Sequence, residues 1–354
     1  MRAPKPKLLA LLSVALLLVI ISGVTTSARP LTDKKAAPGY HLLKRIEVGG
    51  EGGWDYLTVD SDARRLYVSH ATRVVVIDLN KGMVAGEIPN TNGVHGIAIA
   101  SDVGRGFTSN GRDNNVTIFD LKTLNVIGQV KTGTNPDAII YDPATRRVFA
   151  FNGRSNDATA IDAATGTVAG TIALGGKPEF AVADGRGMVY VNIEDKSEVA
   201  AIDSKNLTVK AHWSLAPGEE PSGLAMDRQT RRLFAVCANK KMIVMNADNG
   251  KVVADLATGQ GTDAAAFDPE TRMAFSSNGE GTLTVVHEDA ADKYTVVENA
   301  QTQRGARTMA LDPKTHMVYV ATAQFGPPPP ATPERPRPRP TIIPGSFVVL
   351  VFGK

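Results

Sequence analysis

The chain of 354 residues carries 39 basic and 36 acidic side chains, 43% apolar residues, 33 glycines, 21 prolines and a single cysteine. One cysteine excludes an internal disulfide, so stability must come from packing. Four basic groups and no acidic ones fall within residues 1–29, which leaves the remainder about one charge negative. A near-neutral body gives little counter-ion release, and nucleic acid is not an expected partner.

Residues 1–28 open with Arg2, Lys5 and Lys7, run through an apolar stretch from Leu8 to Val24, and close on the small residues Thr26-Ser-Ala28. That order is the order of a secretory signal peptide. The length of the apolar stretch leaves an uncleaved anchor as the alternative. No cysteine lies near the cleavage region, which argues against a lipoprotein. The mature protein is expected in a periplasm or outside the cell, with no membrane span after cleavage. Residues 29–40 read as a linker and 41–354 as one domain.

From residue 55 a short motif recurs seven times. It reads Asp55-Tyr-Leu-Thr-Val-Asp60, His95-Gly-Ile-Ala-Ile99, Asp137-Ala-Ile-Ile-Tyr-Asp142, Glu179-Phe-Ala-Val-Ala-Asp184, Ser222-Gly-Leu-Ala-Met-Asp227, Asp263-Ala-Ala-Ala-Phe-Asp268 and Arg307-Thr-Met-Ala-Leu-Asp312. The spacings are 40, 42, 42, 43, 41 and 44 residues. A period of this size marks a repeat architecture whose units bury a core only by stacking. Each period continues with a turn such as Asp142-Pro-Ala-Thr-Arg-Arg147. A second strand follows (65–70, 147–152, 188–192), then a third (74–78, 116–120, 199–203) and a fourth (166–172). Short β-branched runs between Gly, Pro, Asn and Asp clusters are strand-and-turn chemistry. Four strands per repeat without helical periodicity predict an all-β fold, a seven-bladed β-propeller with four antiparallel strands per blade.

The seventh repeat has strands at 307–322 and 347–352 but no fourth. His41-Leu-Leu-Lys-Arg-Ile-Glu-Val48 has the pattern of a fourth strand and is expected to complete the last blade, which removes an exposed sheet edge. The same blade carries a Pro/Arg-rich insert, 326–345, between its second and third strands. Alternating proline favours an extended polyproline II segment. The insert reads either as a tolerated insertion or as a lid or docking arm presenting Arg335, Arg337 and Arg339 to an anionic partner or surface.

The second strands Leu66-Tyr-Val-Ser69, Val189-Tyr-Val-Asn192 and Val318-Tyr-Val-Ala321 resemble those of the YVTN-repeat, or YncE-like, β-propellers of bacteria. The resemblance covers residues 41–354. It implies a propeller, often exported, on a scaffold shared by enzymes and binding proteins, so chemistry has to be argued from the site.

In a propeller the first strand of each blade lines the central channel and the second returns. The starts of the first strands, Asp55, His95, Asp137, Glu179, Ser222, Asp263 and Arg307, are therefore expected around one mouth as ligand-binding residues. The ends of the second strands, His70, Asn110, Asn152, Ile193, Cys237, Asn278 and Thr322, are expected on the same face. Carboxylates beside histidines can hold a divalent metal ion, for which His70, His95, Asp55 and Glu179 are the candidate ligands. Crowded carboxylates can also separate their pKa values for acid/base work. Arg307 could orient an anionic group. The bland alternative is a solvated channel lining. Asn110-Gly111, Asn152-Gly153 and Asn278-Gly279 read as tight turns needing positive φ, Cys237 as a small buried hydrophobe, and His212, His287 and His316 as incidental. Arginine pairs such as Arg64-Arg65 and the Asp-Pro-x-Thr turns read as solvated charge and turn architecture on the opposite face.

Two functions follow. The preferred one is an exported monomeric scaffold that holds a small-molecule ligand or protein partner at the channel mouth. The alternative is a metal-assisted hydrolase or lyase at the same mouth, similar in layout to propeller lactonases. No Gly-x-Ser-x-Gly motif is present and Ser222 has no readable triad, which favours binding over catalysis.

Overall fold

The computed structural model describes residues 1–2, 39–330, 332, 338 and 340–354. The expected signal peptide beyond Arg2, most of the linker, and Arg335, Arg337 and Arg339 lie outside the described residues. The described residues from 39 onward form seven four-stranded antiparallel sheets. Blades 1 to 6 span 54–88, 94–131, 136–173, 178–214, 221–257 and 262–301 in chain order. Blade 7 takes three strands from 308–353, and the N-terminal strand His41–Glu47 pairs with Val348–Gly353 as its outermost strand. The sequence expectation for fold and closure is met. Among the described residues the only helices are single 3₁₀ turns at Ser101–Val103 and Glu194–Lys196, and none is long and apolar enough to cross a membrane.

The packing explains the repeat. Each blade is apolar on both faces, because successive strand residues point to opposite sides. In the second strand of blade 3, Phe149 and Phe151 enter the core shared with blade 4, while Val148 and Ala150 enter the core shared with blade 2. The buried clusters sort the same way around the whole ring, one between each pair of neighbours, including blades 7 and 1. Burying each large apolar side chain contributes roughly 1.5–3 kcal/mol, and a blade on its own would leave one such face wet.

Polar latches join the blades on the face opposite the mouth. The aspartates that end the inner strands are buried, and Asp142, Asp184, Asp268 and Asp312 accept bonds from the following blade. Ser204 Oγ donates to Asp142 at 2.6 Å, Arg231 Nη1 to Asp184 at 3.1 Å, and Ser61 Oγ to Asp312 at 2.6 Å. His316 Nδ1 lies 2.7 Å from Asp268 Oδ2, so this histidine is a latch and not incidental. Arg64, expected as solvated charge, bonds Asp312 across the closure seam, and Arg147 donates to the Ser204 and Lys205 carbonyls of blade 4. The turns that hold these arginines bring them back onto the neighbouring blade. Arg146, paired with Asp102, stays half exposed as expected.

Closure by the N-terminal strand makes a direct prediction. A chain starting at residue 49 leaves the Val348–Gly353 edge unpaired and loses the buried Ile46. Its thermal midpoint should fall by roughly 10 °C or more relative to a chain starting at residue 39. Equal midpoints in a calorimetric comparison would show that the strand does not close the ring.

Candidate functional site

The inner strands carry a repeated irregularity at the mouth. In blades 1 to 5, two inner-strand residues face a single residue of the second strand. In blade 1, for example, Trp54 pairs with His70 and Leu57 with Val68, which leaves Asp55 and Tyr56 opposite Ser69. Such a bulge re-aims side chains without disturbing the rest of the ladder. It sets the ring residues Asp55, His95, Asp137, Glu179 and Ser222 toward the channel, where each is partly exposed.

Second-strand polar groups pin these bulges. Ser69 Oγ accepts from the Asp55 amide at 2.8 Å, and Ser109 Oγ accepts from the Gly96 amide at 2.9 Å while donating to the Asp137 carbonyl of the next blade. Asn192 Nδ2 donates to the Ser222 carbonyl at 2.8 Å, and Ser277 Oγ donates to the Arg307 carbonyl. Sequence reasoning missed these positioning residues. Their signal was the Ser or Asn one place before the end of the second strand.

Five ring residues form one chain of charges. Arg307 pairs with Asp263 and reaches toward Asp55, with Nη2–Oδ1 3.9 Å apart. Asp55 Oδ2 lies 2.6 Å from His95 Nδ1, and Asp137 Oδ1 lies 3.6 Å from the same nitrogen. The chain Asp263–Arg307–Asp55–His95–Asp137 thus crosses blades 6, 7, 1, 2 and 3. The other edge of the imidazole packs on Gly111, where a Cβ would sit 2.7 Å from Nε2. Glu179 is held separately by Lys177 Nζ at 2.7 Å, and Lys177 also bonds Glu194. Ser222 stands outside the network, its hydroxyl 3.3 Å from the Thr262 carbonyl.

Two aromatic rings meet across the channel: Tyr56 of blade 1 and Phe180 of blade 4, ring centroids 5.2 Å apart, with the Tyr56 hydroxyl beside the Asp137 carboxylate. Neither aromatic was singled out from the sequence, since the repeat period does not tell which bulge residue reaches the axis.

Desolvation and crowding govern the titrations. For His95, burial is the largest influence and acts to lower its pKa. The bond to Asp55 and the charges of Asp137, Asp55 and Glu179 together outweigh it and raise the imidazolium to about 9. Burial, then the Asp137 charge, raises Glu179 to about 8 against the pull of Lys177. Burial raises Asp263 to about 7 despite Arg307. Asp137 is also raised, by burial foremost, against the pull of His95. Burial and the surrounding carboxylates hold the Tyr56 phenol protonated well above its ordinary range.

The structure groups the expected metal ligands differently. Asp55, His95 and Asp137 each bring one ligand atom within 4.8 Å of the others'. Asp137 takes the place expected for Glu179, which is engaged by Lys177. His70 is not with them: it is fully buried and stacked on Phe347 at 4.5 Å, and neither ring nitrogen has a hydrogen-bond partner. Burial, then Arg73, lowers its pKa to about 4. The second-strand ends are all buried between blades, one layer outside the channel. Asn110, Asn152 and Asn278 do not adopt positive φ, nor do the glycines after them. Their amides clasp the third strand, as Asn152 Nδ2 does to Asp157 at 2.6 Å and Thr159 at 3.0 Å. Cys237 is fully buried, and burial pushes its thiol up to about 12, which suits a small hydrophobe.

A metal can enter the Asp55–His95–Asp137 trio only by replacing a proton. Donors bound to one zinc at 2.0–2.2 Å usually stand about 3 Å or more apart, whereas 2.6 Å between His95 and Asp55 is a shared-proton contact. The stability of the metal-free protein should therefore report the ring. A folded pKa above the unfolded value gives stability that is complete below the unfolded pKa and lost as pH rises through the folded one. His95 acts from 6.5 to about 9, Glu179 from 4.5 to about 8 and Asp263 from 3.8 to about 7. His70, with its lowered pKa, acts oppositely and only between about 4 and 6.5. The melting temperature should fall steadily from about pH 6.5 to 9, and His95→Gln should flatten the segment above pH 8. A midpoint constant across this range would contradict the charge network.

No curated protein matches the chain in sequence. Among solved structures, the Kuenenia stuttgartiensis hydrazine synthase aligns over 76% of this chain and 92% of its own, with 16% identity and a TM-score of 0.67. A U3-55K structure aligns over 88% and 98%, with 8% identity and a TM-score of 0.72. A chain of a mitotic checkpoint complex aligns over 96% and 99%, with 12% identity and a TM-score of 0.73. At these identities the likeness is one of fold alone. A family model described as "Outer membrane protein assembly factor BamB" matches residues 112–323, more than half of the chain. This chain belongs to that β-propeller family.

Proposed function

We propose that the protein is an exported propeller that acts as a monomeric binding scaffold, holding a ligand or partner at the charged mouth of its channel. The observation that carries this reading is the chain Asp263–Arg307–Asp55–His95–Asp137, completed by Glu179. Four carboxylates meet there, with Arg307, His95 and Lys177 as the opposing cations, and each of those cations is shared between two carboxylates, Lys177 with Glu194 outside the ring. Burial raises Asp137, Glu179 and Asp263, so each resists ionisation until a cation arrives. Such a mouth favours a cationic guest, either a divalent ion or an ammonium or guanidinium group of a partner. The basic-then-apolar order of residues 1–28, the YVTN-like second strands and the family's description as an outer membrane assembly factor support a periplasmic or secreted location.

The second reading, a metal-assisted hydrolase or lyase, draws on the Asp55–His95–Asp137 trio. Bound there, a divalent ion would supply a polarised water or carbonyl. Ser222, bonded to a backbone carbonyl, supports no nucleophile.

Elemental analysis of protein purified from its export compartment, without chelator or nickel resin, tests the cationic mouth. A near-stoichiometric divalent metal is expected, lost in His95→Gln and Asp137→Asn but retained in His70→Phe. Retention in all three variants would place any metal elsewhere and remove the trio from both readings. Metal-loaded protein that lacks turnover on lactones and esters while keeping its ion would decide for the scaffold.

A further inference from the structure

A second cavity lies beside the ring, between blades 6, 7 and 1 and the neck of the insert. Its volume is about 430 Å³, within the range of small-molecule sites. The neck is a short antiparallel pairing: the Gly326 amide donates to the Thr341 carbonyl at 2.8 Å, the Ile343 amide to the Gln324 carbonyl at 2.9 Å, and Phe325 bridges Ile342. This pairing stands Phe325 and Ile342 as one wall, and Trp54 of blade 1 forms another. Trp54 is braced by Phe347, at 5.0 Å, and tilts toward Phe325 at 6.2 Å. The Phe325 ring rests on Gly305, where a Cβ would sit 2.5 Å from it and where φ is +83°, so only glycine suits the position.

The charge in this cavity is opposite in sign to that of the ring. Among the described residues two arginines line it and no carboxylate does. Arg307 is occupied by Asp263 and Asp55. Arg304 is exposed and has no ion-pair or side-chain hydrogen-bond partner among the described residues. An aromatic and aliphatic slot that ends at a free guanidinium suits a small molecule with an apolar body and one anionic head.

We propose that this cavity binds a small arylalkyl carboxylate, its apolar body between Trp54, Phe325 and Ile342 and its carboxylate on Arg304. The proposal deepens the reading of the mouth face as a binding surface and rests on it, but its ligand contacts are outside the ring, with Arg307 the one ring residue in the cavity lining. It also gives the insert a role, since the neck builds one wall of the site.

The protein contains two tryptophans, so Trp213→Phe leaves Trp54 as the sole indole reporter. Titration of that protein with 4-phenylbutyrate should change Trp54 emission saturably. Arg304→Gln should weaken 4-phenylbutyrate about tenfold, the scale of a lost charge-assisted hydrogen bond, and leave the uncharged 4-phenylbutyramide unchanged. Phe325→Ala should weaken both. Asp137→Asn should leave both affinities intact, which separates this cavity from the ring, whose own test is metal content. Absence of a Trp54 response, an Arg304→Gln protein that binds the acid as tightly as the parent, or loss of binding in Asp137→Asn would each overturn the proposal. Arg304 is exposed, so its replacement is not expected to disturb folding, and an unchanged melting temperature checks this.

Discussion

Everything in this fold depends on each sheet being apolar on both faces. A single blade cannot bury Phe149 and Val148 together, because the pleat sends them to opposite sides. Stability therefore requires two neighbours for every blade, and a linear row would always leave two wet faces. The ring removes them. The N-terminal strand then removes the last free edge by pairing with Val348–Gly353. The polar latches, such as Asp268–His316 and Asp312–Ser61, fasten the blades on the face away from the mouth.

That rigid frame lets the mouth hold charges that a softer structure would disperse. Bulges aim the ring residues inward, and hydroxyls or amides of the preceding blade fix the carbonyls of Asp137, Ser222 and Arg307. The carboxylates are then crowded in partly dry surroundings, where ionisation is costly unless compensated. Raised values for Glu179 and Asp263 and the raised imidazolium of His95 are two sides of this condition. Local destabilisation held in place by a stable scaffold is a common mark of sites kept for function. The neck of the insert walls a cavity that Arg304 and Arg307 make cationic beside this acidic ring, so the mouth face presents two regions of opposite sign within one surface.

Much of this was legible in the sequence. The period set the number of blades, the pattern of 41–48 set the closure, and the first residue of each motif lies within one position of its inner-strand start. Equivalence along a repeat, however, does not reveal depth. His70 ends a second strand at the mouth, yet the pleat turns it between blades onto Phe347. The same geometry makes Asn110, Asn152 and Asn278 interstrand clasps where their Asn-Gly pairs suggested turns. Tyr56, Lys177 and His316 were not readable because their roles depend on contacts across or between blades. Tyr56 crosses the channel to Phe180, and His316 meets an aspartate 48 residues away.

On the proposed function, the ring carboxylates are kept for binding at some expense to the fold. The melting temperature of Asp137→Asn at pH 8, in chelated protein, tests it most directly. Asparagine keeps a carbonyl oxygen beside the Tyr56 hydroxyl and sheds a half-buried charge, so a midpoint equal to or a few degrees above that of the parent protein is expected. A fall of several degrees would mean that Asp137 is a structural ion-pair partner of His95, and that the mouth is architecture and not a site.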